Sequence, residues 1–354
     1  MKILDRTIGL IVIKTTVMVS MVIIAIQSFL ALVQQFSLVG THGYTVRQAL
    51  LFVPMQLPIA FYQLFPMAGF LGALIALSRL SASSELIVMR VSGVSIVRIG
   101  WSVIKASILM IVFITVLGEV IGPSLQVKSE QMEQAIISPD SKDVLLKSIW
   151  LHQGDTFTHI GKLENANTMT DITRYHFNNN DQMTQVTSAK MGQLQDGQWL
   201  LSNLKHTYFL EDRVKTAKVA EATWNFAFQP RLQVRMKAAA GEQSLPELFH
   251  TIQYRQSIGL STKRFLFSFW QRILQPVTTL VLIGLAVPFV FGSFRDSSMG
   301  MRIMTGVLIG FAFYMMNQLF GPITLVYQFP PLLAAVLPTM IFFIIAAVLL
   351  SKTR

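Results

Sequence analysis

The stretch LSRLSASSELIVMRVSGVSIVRIG, residues 77–100, places Arg79, Glu85, Arg90 and Arg98, with four serines from Ser78 to Ser84, between two of the most apolar segments of the chain. Read as a helix, its middle has a serine start at Ser83 or Ser84, an acid at Glu85 in the first turn, a base at Arg90 in the last, and a stop at Gly93. Serine accepts from the orphan amides, the two charges complement the helix dipole, and glycine admits a left-handed ending. Leu86, Ile87, Val88, Met89 and Val91 leave this short element little polar face. It must either rest on a membrane surface or dock into a groove on a cytoplasmic partner.

The rest of the chain explains why such a connection exists. Of 354 residues, 52% are hydrophobic and 13% charged, with a mean hydropathy of +0.53; soluble domains carry about a quarter charged residues. Six segments reach the roughly 20 apolar residues that cross hydrocarbon: 8–38, 48–78, 103–125, 265–292, 301–321 and 331–351. The first is too long for a cleavable signal core and lacks a small-residue cleavage site.

Charge placement sets the direction. Of 29 basic and 18 acidic residues, 14 of each lie between positions 124 and 260, which leaves 15 basic and 4 acidic (Asp5, Glu85, Glu119, Asp296) for the membrane part. An N-in, C-in arrangement puts eleven of the fifteen at cytoplasmic ends: Lys2, Arg6, Lys14, Arg79, Arg90, Arg98, Lys105, Arg295, Arg302, Lys352 and Arg354. Only Arg47, Lys263, Arg264 and Arg272 fall at the opposite ends, as positive charge retained inside requires. A nucleic-acid partner is excluded on the same ground, because the basic excess lies at helix ends.

The neutral insert changes pattern, with short alternating runs such as SIWLHQGDTFTHIGKL and QDGQWLLSNLKHTYFL punctuated by Asn, Asp and Gly. These read as antiparallel strands of a periplasmic all-β sandwich or jellyroll-like domain. Ser244 and Glu247, spaced as a capping box, then open a connecting helix. The expected organisation is 1–125 with helices one to three and a cytoplasmic helix at 83–93, 126–260 as the β-domain, and 261–354 with helices four to six.

Several chemistries are disfavoured. No G-x-x-x-x-G-K-[ST] stretch is present, so any ATP is hydrolysed by another subunit. With no cysteine there is no disulfide or thiolate site. His152 and His159 are seven apart and face opposite sides of a strand, which argues against a shared metal. The spans hold no paired carboxylates for a proton relay. Glu119 reads as an interfacial helix-end carboxylate rather than a proton carrier. Arg272, about two turns inside the fourth span, either snorkels to the headgroups or faces a cavity and holds an anion.

The stretches SSELIVMRVSG (83–93) and QPVTTLVLIGLAVPFVFGSFRDSSMGMRIMTGVLIGFAFYMMNQLFGPITLVYQFPPLLAAVLP (275–338) resemble the LptF/LptG family, the paired permeases of the lipopolysaccharide-export ABC transporter. LDRTIG at 4–9, and FGPITLVY followed by two prolines, bring the chain nearer the LptG branch. The resemblance spans essentially the whole chain. It implies a heterodimer with LptF, two copies of the ATPase LptB that bind ATP and Mg below, and a bridge through LptC and LptA. It further implies lipopolysaccharide as substrate, the bacterial inner membrane as location, and no enzyme activity or cofactor in this chain. A lipid with many acyl chains needs a wide apolar cavity between two permeases, with cations at its outer rim.

Carried over residue by residue, the 83–93 element corresponds to the coupling helix, with Glu85, Leu86, Met89, Arg90 and Gly93 as its ATPase-coupling set. The first and fifth spans correspond to the lateral gate, and Arg272 to a basic position of the fourth span. The chain departs from its relatives at Ala31, Ser37 and Leu38, where they carry lysines, and at Glu130 and Glu133, where they carry arginines. Lys128, Arg47 and Arg264 are candidate replacements for contact with phosphate. Two other functions fit the same architecture: a mechanotransmission permease that drives a periplasmic partner, and an ion-coupled secondary transporter.

Overall fold

The computed structural model describes residues 2–41, 43–137, 146–165, 167–178, 182–195, 198–210, 213–224, 240–257, 260–292 and 298–352. Two of the basic positions used for orientation, Arg295 and Arg354, lie outside them. Among the described residues, six helices are long and apolar enough to cross a membrane. They are α1 (Lys2–Phe36) and α2 (Val46–Ala82), then α4 (Ile96–Val116) continued by a π-helical turn (Leu117–Ile121) and α5 (Gly122–Ile137). After the insert come α7 (Lys263–Phe291), α8 (Met299–Val326) and α9 (Pro331–Lys352). The short α3 (Glu85–Val91) connects α2 to α4, and α6 (Leu245–Ser257) precedes α7.

Met1–Glu130, Ala240–Leu248 and Lys263–Arg354 form one compact unit, which takes in the six spans and the start of α6. α2 and α7 are its centre: 67% and 56% of their most apolar windows are buried, against 11% for α1 and 17% for α8. Apolar side chains have no reason to leave lipid, so close contact between the central helices rests on packing and polar bonds. Phe70, Leu74 and Leu77 of α2 pack with Leu282, Ile283 and Ala286 of α7 in the main apolar cluster. Thr278 and Thr339 share a hydroxyl hydrogen bond of 2.7 Å between α7 and α9.

Of the three prolines inside α2, Pro54, Pro58 and Pro66, the last has its lost bond replaced. Pro66 cannot donate to the carbonyl of Tyr62 one turn earlier, and Gln275 Nε2 from α7 donates to that oxygen at 2.5 Å. At the other end of the bundle Asp5 takes the hydroxyl of Ser102 at 2.7 Å and pairs with Arg98 at 3.4 Å and Lys105 at 3.6 Å, which fixes α1 to α4.

The second unit comprises Gln131–Ala239 and Phe249–Thr262. It holds the expected antiparallel β-domain. Strands β1 (Leu146–Gln153), β2 (Thr156–Asn165), β3 (Thr168–Phe177), β4 (Met183–Gln195), β5 (Gln198–Phe209) and β6 (Val214–Trp224) pair antiparallel in chain order as one meander. The period-2 pattern puts Ile149, Ile160, Ile172, Ala189 and Leu204 on one buried face with Trp199 and Trp224. That face curves: the guanidinium carbon of Arg174 on β3 lies 4.2 Å from the ring centroid of Trp224, three strands away. The alternating stretch VAEATWNFAF (219–228) also reads as a strand, and its residues after Trp224 lie outside the described ones.

Candidate functional sites: the α3 surface and a polar cavity between the helices

The α3 element follows from its end signals. Ser84 takes the N-cap position in a left-handed conformation, with no side-chain cap bond; instead Ser83 Oγ donates to Glu85 Oε1 at 2.8 Å. At the other end Gly93 has φ +87°. Gly93 N donates to Arg90 O and Val94 N to Met89 O, both at 3.0 Å, the paired bonds of a Schellman ending.

These bonds fix which way the side chains point. Leu86 is 2% exposed and Met89 packs against the main core, so both anchor the helix. Ile87, Val88 and Val91 are 50%, 63% and 85% exposed, and Glu85 and Arg90 are exposed beside them. Of the coupling set carried over from the resemblance, Leu86 and Met89 face the core, and the outward apolar positions beside Glu85 and Arg90 are Ile87, Val88 and Val91. A helix this short cannot be phased from its sequence when nearly every position is apolar. A cavity of about 650 Å³ adjoins the surface, lined in part by Ser78, Ser81, Ile87, Arg90 and Arg302.

The opposite end of the bundle holds a polar cluster. Glu119 lies in the π-helical turn, where the extra residue per turn rotates its side chain inward. Its Oε1 receives Arg272 Nη1 at 2.7 Å, and its Oε2 receives the backbone N–H of Leu245, the first residue of α6, at 2.9 Å. Arg272 Nη2 donates to Gly241 O at 2.9 Å. The side chains of Arg272 and Glu119 are 5% and 13% exposed. Glu119 is therefore the counter-charge of Arg272, and the Arg272 side chain turns into the helical unit. Beside them Ser244 and Glu247 make the expected helix start, with the Ser244 backbone N–H and Oγ donating to Glu247 Oε2 at 3.0 and 2.9 Å.

Gly118 makes this arrangement possible. A Cβ there would lie 2.2 Å from Tyr62 Cγ and 2.6 Å from Tyr62 Cβ, and the Arg272 guanidinium carbon is 5.7 Å from the Tyr62 ring centroid. Gly118→Ala is expected to lower stability by about 1–3 kcal/mol through overpacking, read as a drop in melting temperature in detergent. Gly284→Ala, where nothing lies within 4 Å of the added atom, should leave it unchanged.

Arg272 also borders a cavity of about 520 Å³ between α2, α7 and α8, whose lining includes Gln63, Arg264, Gln271, Gln275, Asn317 and Gln318. So many amides and cations inside a membrane helix bundle mark a route or site for a polar group. Of the four cations expected to contact substrate, the structure brings Arg264 and Arg272 to this cavity. Arg47, in the first turn of α2, and Lys128, on α5, are exposed and absent from its described lining. Because Glu119 neutralises Arg272, Arg264 is the exposed lining cation that makes no ion pair among the described residues. No cluster of three or more His, Asp or Glu side chains able to hold a metal occurs among them either. His159 packs on Trp150, 4.7 Å between ring centroids.

Comparison with known proteins gives this architecture a family. The model described as "Lipopolysaccharide export system permease LptF/LptG" matches residues 6–352. The chain is 29% identical over 353 residues to the "Lipopolysaccharide export system permease protein LptG" of Haemophilus influenzae, covering 99% of both chains. It is 28% identical to the protein of the same name in Escherichia coli K12, covering 99% of this chain and 98% of that one. With six spans, an inserted β-domain and a match over nearly its whole length, this chain belongs to the LptF/LptG family of lipopolysaccharide export permeases.

Proposed function

We propose that the chain is the LptG-type half of a heterodimeric permease that takes lipopolysaccharide from the inner membrane and passes it to a periplasmic bridge. Energy comes from ATP hydrolysed, with Mg, by an LptB dimer docked on the cytoplasmic face. The observation that carries this reading is the pairing of two features at opposite ends of the bundle: an exposed apolar helix at 85–91 and a cation-bearing cavity near Arg264.

At the inner end, Glu85 and Arg90 rim an apolar patch of Ile87, Val88 and Val91, the composition of a small interface with a hydrophobic centre and a polar edge. Leu86 and Met89 transmit displacement, because they join the patch to the core that α2 and α7 share. At the outer end, a volume of about 520 Å³ accepts a phosphorylated sugar headgroup but not several acyl chains. The acyl chains require a larger space, and the little-buried α1 and α8 are the faces on which LptF and the lipid are accommodated as a lateral gate. Closing the two LptB subunits then narrows that space and drives the lipid toward the β-domain, LptC and LptA.

Arg264 meets the headgroup phosphate, while Arg272 shapes the cavity wall. Arg264→Gln is expected to reduce lipopolysaccharide copurification about tenfold, since a charge-assisted bond to phosphate is lost; lipid extraction and mass spectrometry of the purified complex measures it. Unchanged recovery of lipid would remove Arg264 from the binding role. Copurification of LptF, LptB and lipid A with this chain tests the class as a whole. A driver of a periplasmic partner with no lipid of its own would yield the proteins without lipid.

A further inference from the structure

The inner face of the β-domain changes character along its strands. At one end it is apolar, with Ile149, Ile160, Ile172, Ala189 and Leu204 in cross-strand register or near it. Two residues further along, the row reads Thr158, Arg174, Thr187 and His206, and the next reads Thr156, His176 and Gln185. An apolar face needs no such substitution to stay folded, and Thr158 and Thr187 are buried at 4% and 2% exposure.

Around these rows lies a cavity of about 310 Å³, lined by Thr156, Arg174, His176, Gln185, Thr187, His206 and Trp224. Every polar lining side chain can donate a hydrogen bond, and no carboxylate is among the described lining residues. The donors are held in place by one another. Thr187 Oγ1 and Gln185 Nε2 meet His206 Nδ1 at 2.9 and 3.2 Å, Gln185 Nε2 donates to Thr187 Oγ1 at 3.0 Å, and Thr156 Oγ1 meets His176 Nδ1 at 3.2 Å. Arg174 is stacked on Trp224. Burial lowers its proton affinity, yet a guanidinium stays charged.

A half-buried cation that keeps its charge, among fixed donors in a cavity whose described lining holds no carboxylate, suits an oxyanion. A planar fork of N–H groups is matched to phosphate. We propose that this cavity binds a phosphoryl group carried on a saccharide, with Arg174 as its principal ligand and His176, His206 and Thr187 completing the shell. Its volume exceeds that of bare phosphate and admits one phosphorylated hexose. The assignment does not rest on the permease reading, because it is made from the β-domain's own residues.

The test uses the full chain in detergent, by titration calorimetry, with inorganic phosphate, glucose 1-phosphate, glucose, and micellar lipid A in its bisphosphorylated and dephosphorylated forms. Phosphate-dependent binding is expected, weakened at least tenfold by Arg174→Gln and partly restored by Arg174→Lys. His206→Gln, which leaves the Arg174 stack in place, should weaken it severalfold and covers the case in which Arg174→Gln does not fold. Binding of glucose 1-phosphate marks a soluble source, and binding confined to phosphorylated lipid A marks a glycolipid. Absence of phosphate-dependent binding in every arm, or binding that both Arg174→Gln and His206→Gln leave unchanged, overturns the proposal.

Discussion

Arg272→Ala is expected to destabilise the helical unit by about 3–5 kcal/mol, the range for removing one partner of a buried ion pair. The loss has a specific origin. Glu119 would be left at 13% exposure without its counter-charge, and Gly241 O would lose its donor. Glu119→Ala should cost a similar amount, since it strands the Arg272 guanidinium. The double variant Arg272→Leu/Glu119→Leu should recover much of the loss, because matched apolar replacement of both charges is tolerated. Recovery should stay incomplete by about 1–3 kcal/mol, the cost of leaving the Leu245 N–H without a partner. Melting in detergent, scored as a double-mutant cycle, measures the coupling. Additive single effects would show that the pair is not one unit.

The second large effect is expected at α3. Ile87→Asp and Val91→Asp place a charge in the centre of the patch proposed to meet the ATPase, and each should weaken that association by about 2 kcal/mol or more, roughly thirtyfold. Both side chains are at least half exposed, so the chain itself should fold and melt normally. Glu85→Ala, at the edge of the patch, should have the smaller effect on assembly and should lower ATP-coupled lipid release. Affinity capture of the ATPase by the detergent-purified chain separates these outcomes. Leu86→Asp serves as the contrast, because burying a charge at a 2% exposed position should damage the fold before it damages docking.

How much of this was legible in the sequence depends on the range of the interaction that decides it. The six spans and α3 are set by local features: apolar length, a first-turn acid, a glycine past the last turn. The second, fourth, fifth and sixth spans lie within about five residues of the expected segments, whereas the first starts at Lys2 and the third runs from Ile96 through the π-helical turn to Ile137, twelve residues into the segment expected as β-domain. The β-domain was legible as alternation, but its curvature was not, because the approach of Arg174 to Trp224 joins residues fifty positions apart. Glu119 and Arg272 show the same limit across 153 positions. A signal was nevertheless present: each is an isolated charge about two turns or less from the outer end of an apolar span, and a charge at that depth calls for its opposite. What no local pattern contains is the π-helical turn that rotates Glu119 inward, or the approach of Tyr62 that requires Gly118.

The central claim, that force from a cytoplasmic ATPase enters through α3 and moves lipid held further out in the bundle, is tested most directly by reconstitution. Proteoliposomes containing this chain, LptF and LptB, loaded with lipopolysaccharide, should release it to a soluble LptA acceptor only when ATP is supplied. The account predicts that Val91→Asp abolishes that release while bound lipopolysaccharide in the purified permease pair is unchanged. ATP-dependent release at the unaltered rate from the Val91→Asp complex would contradict it.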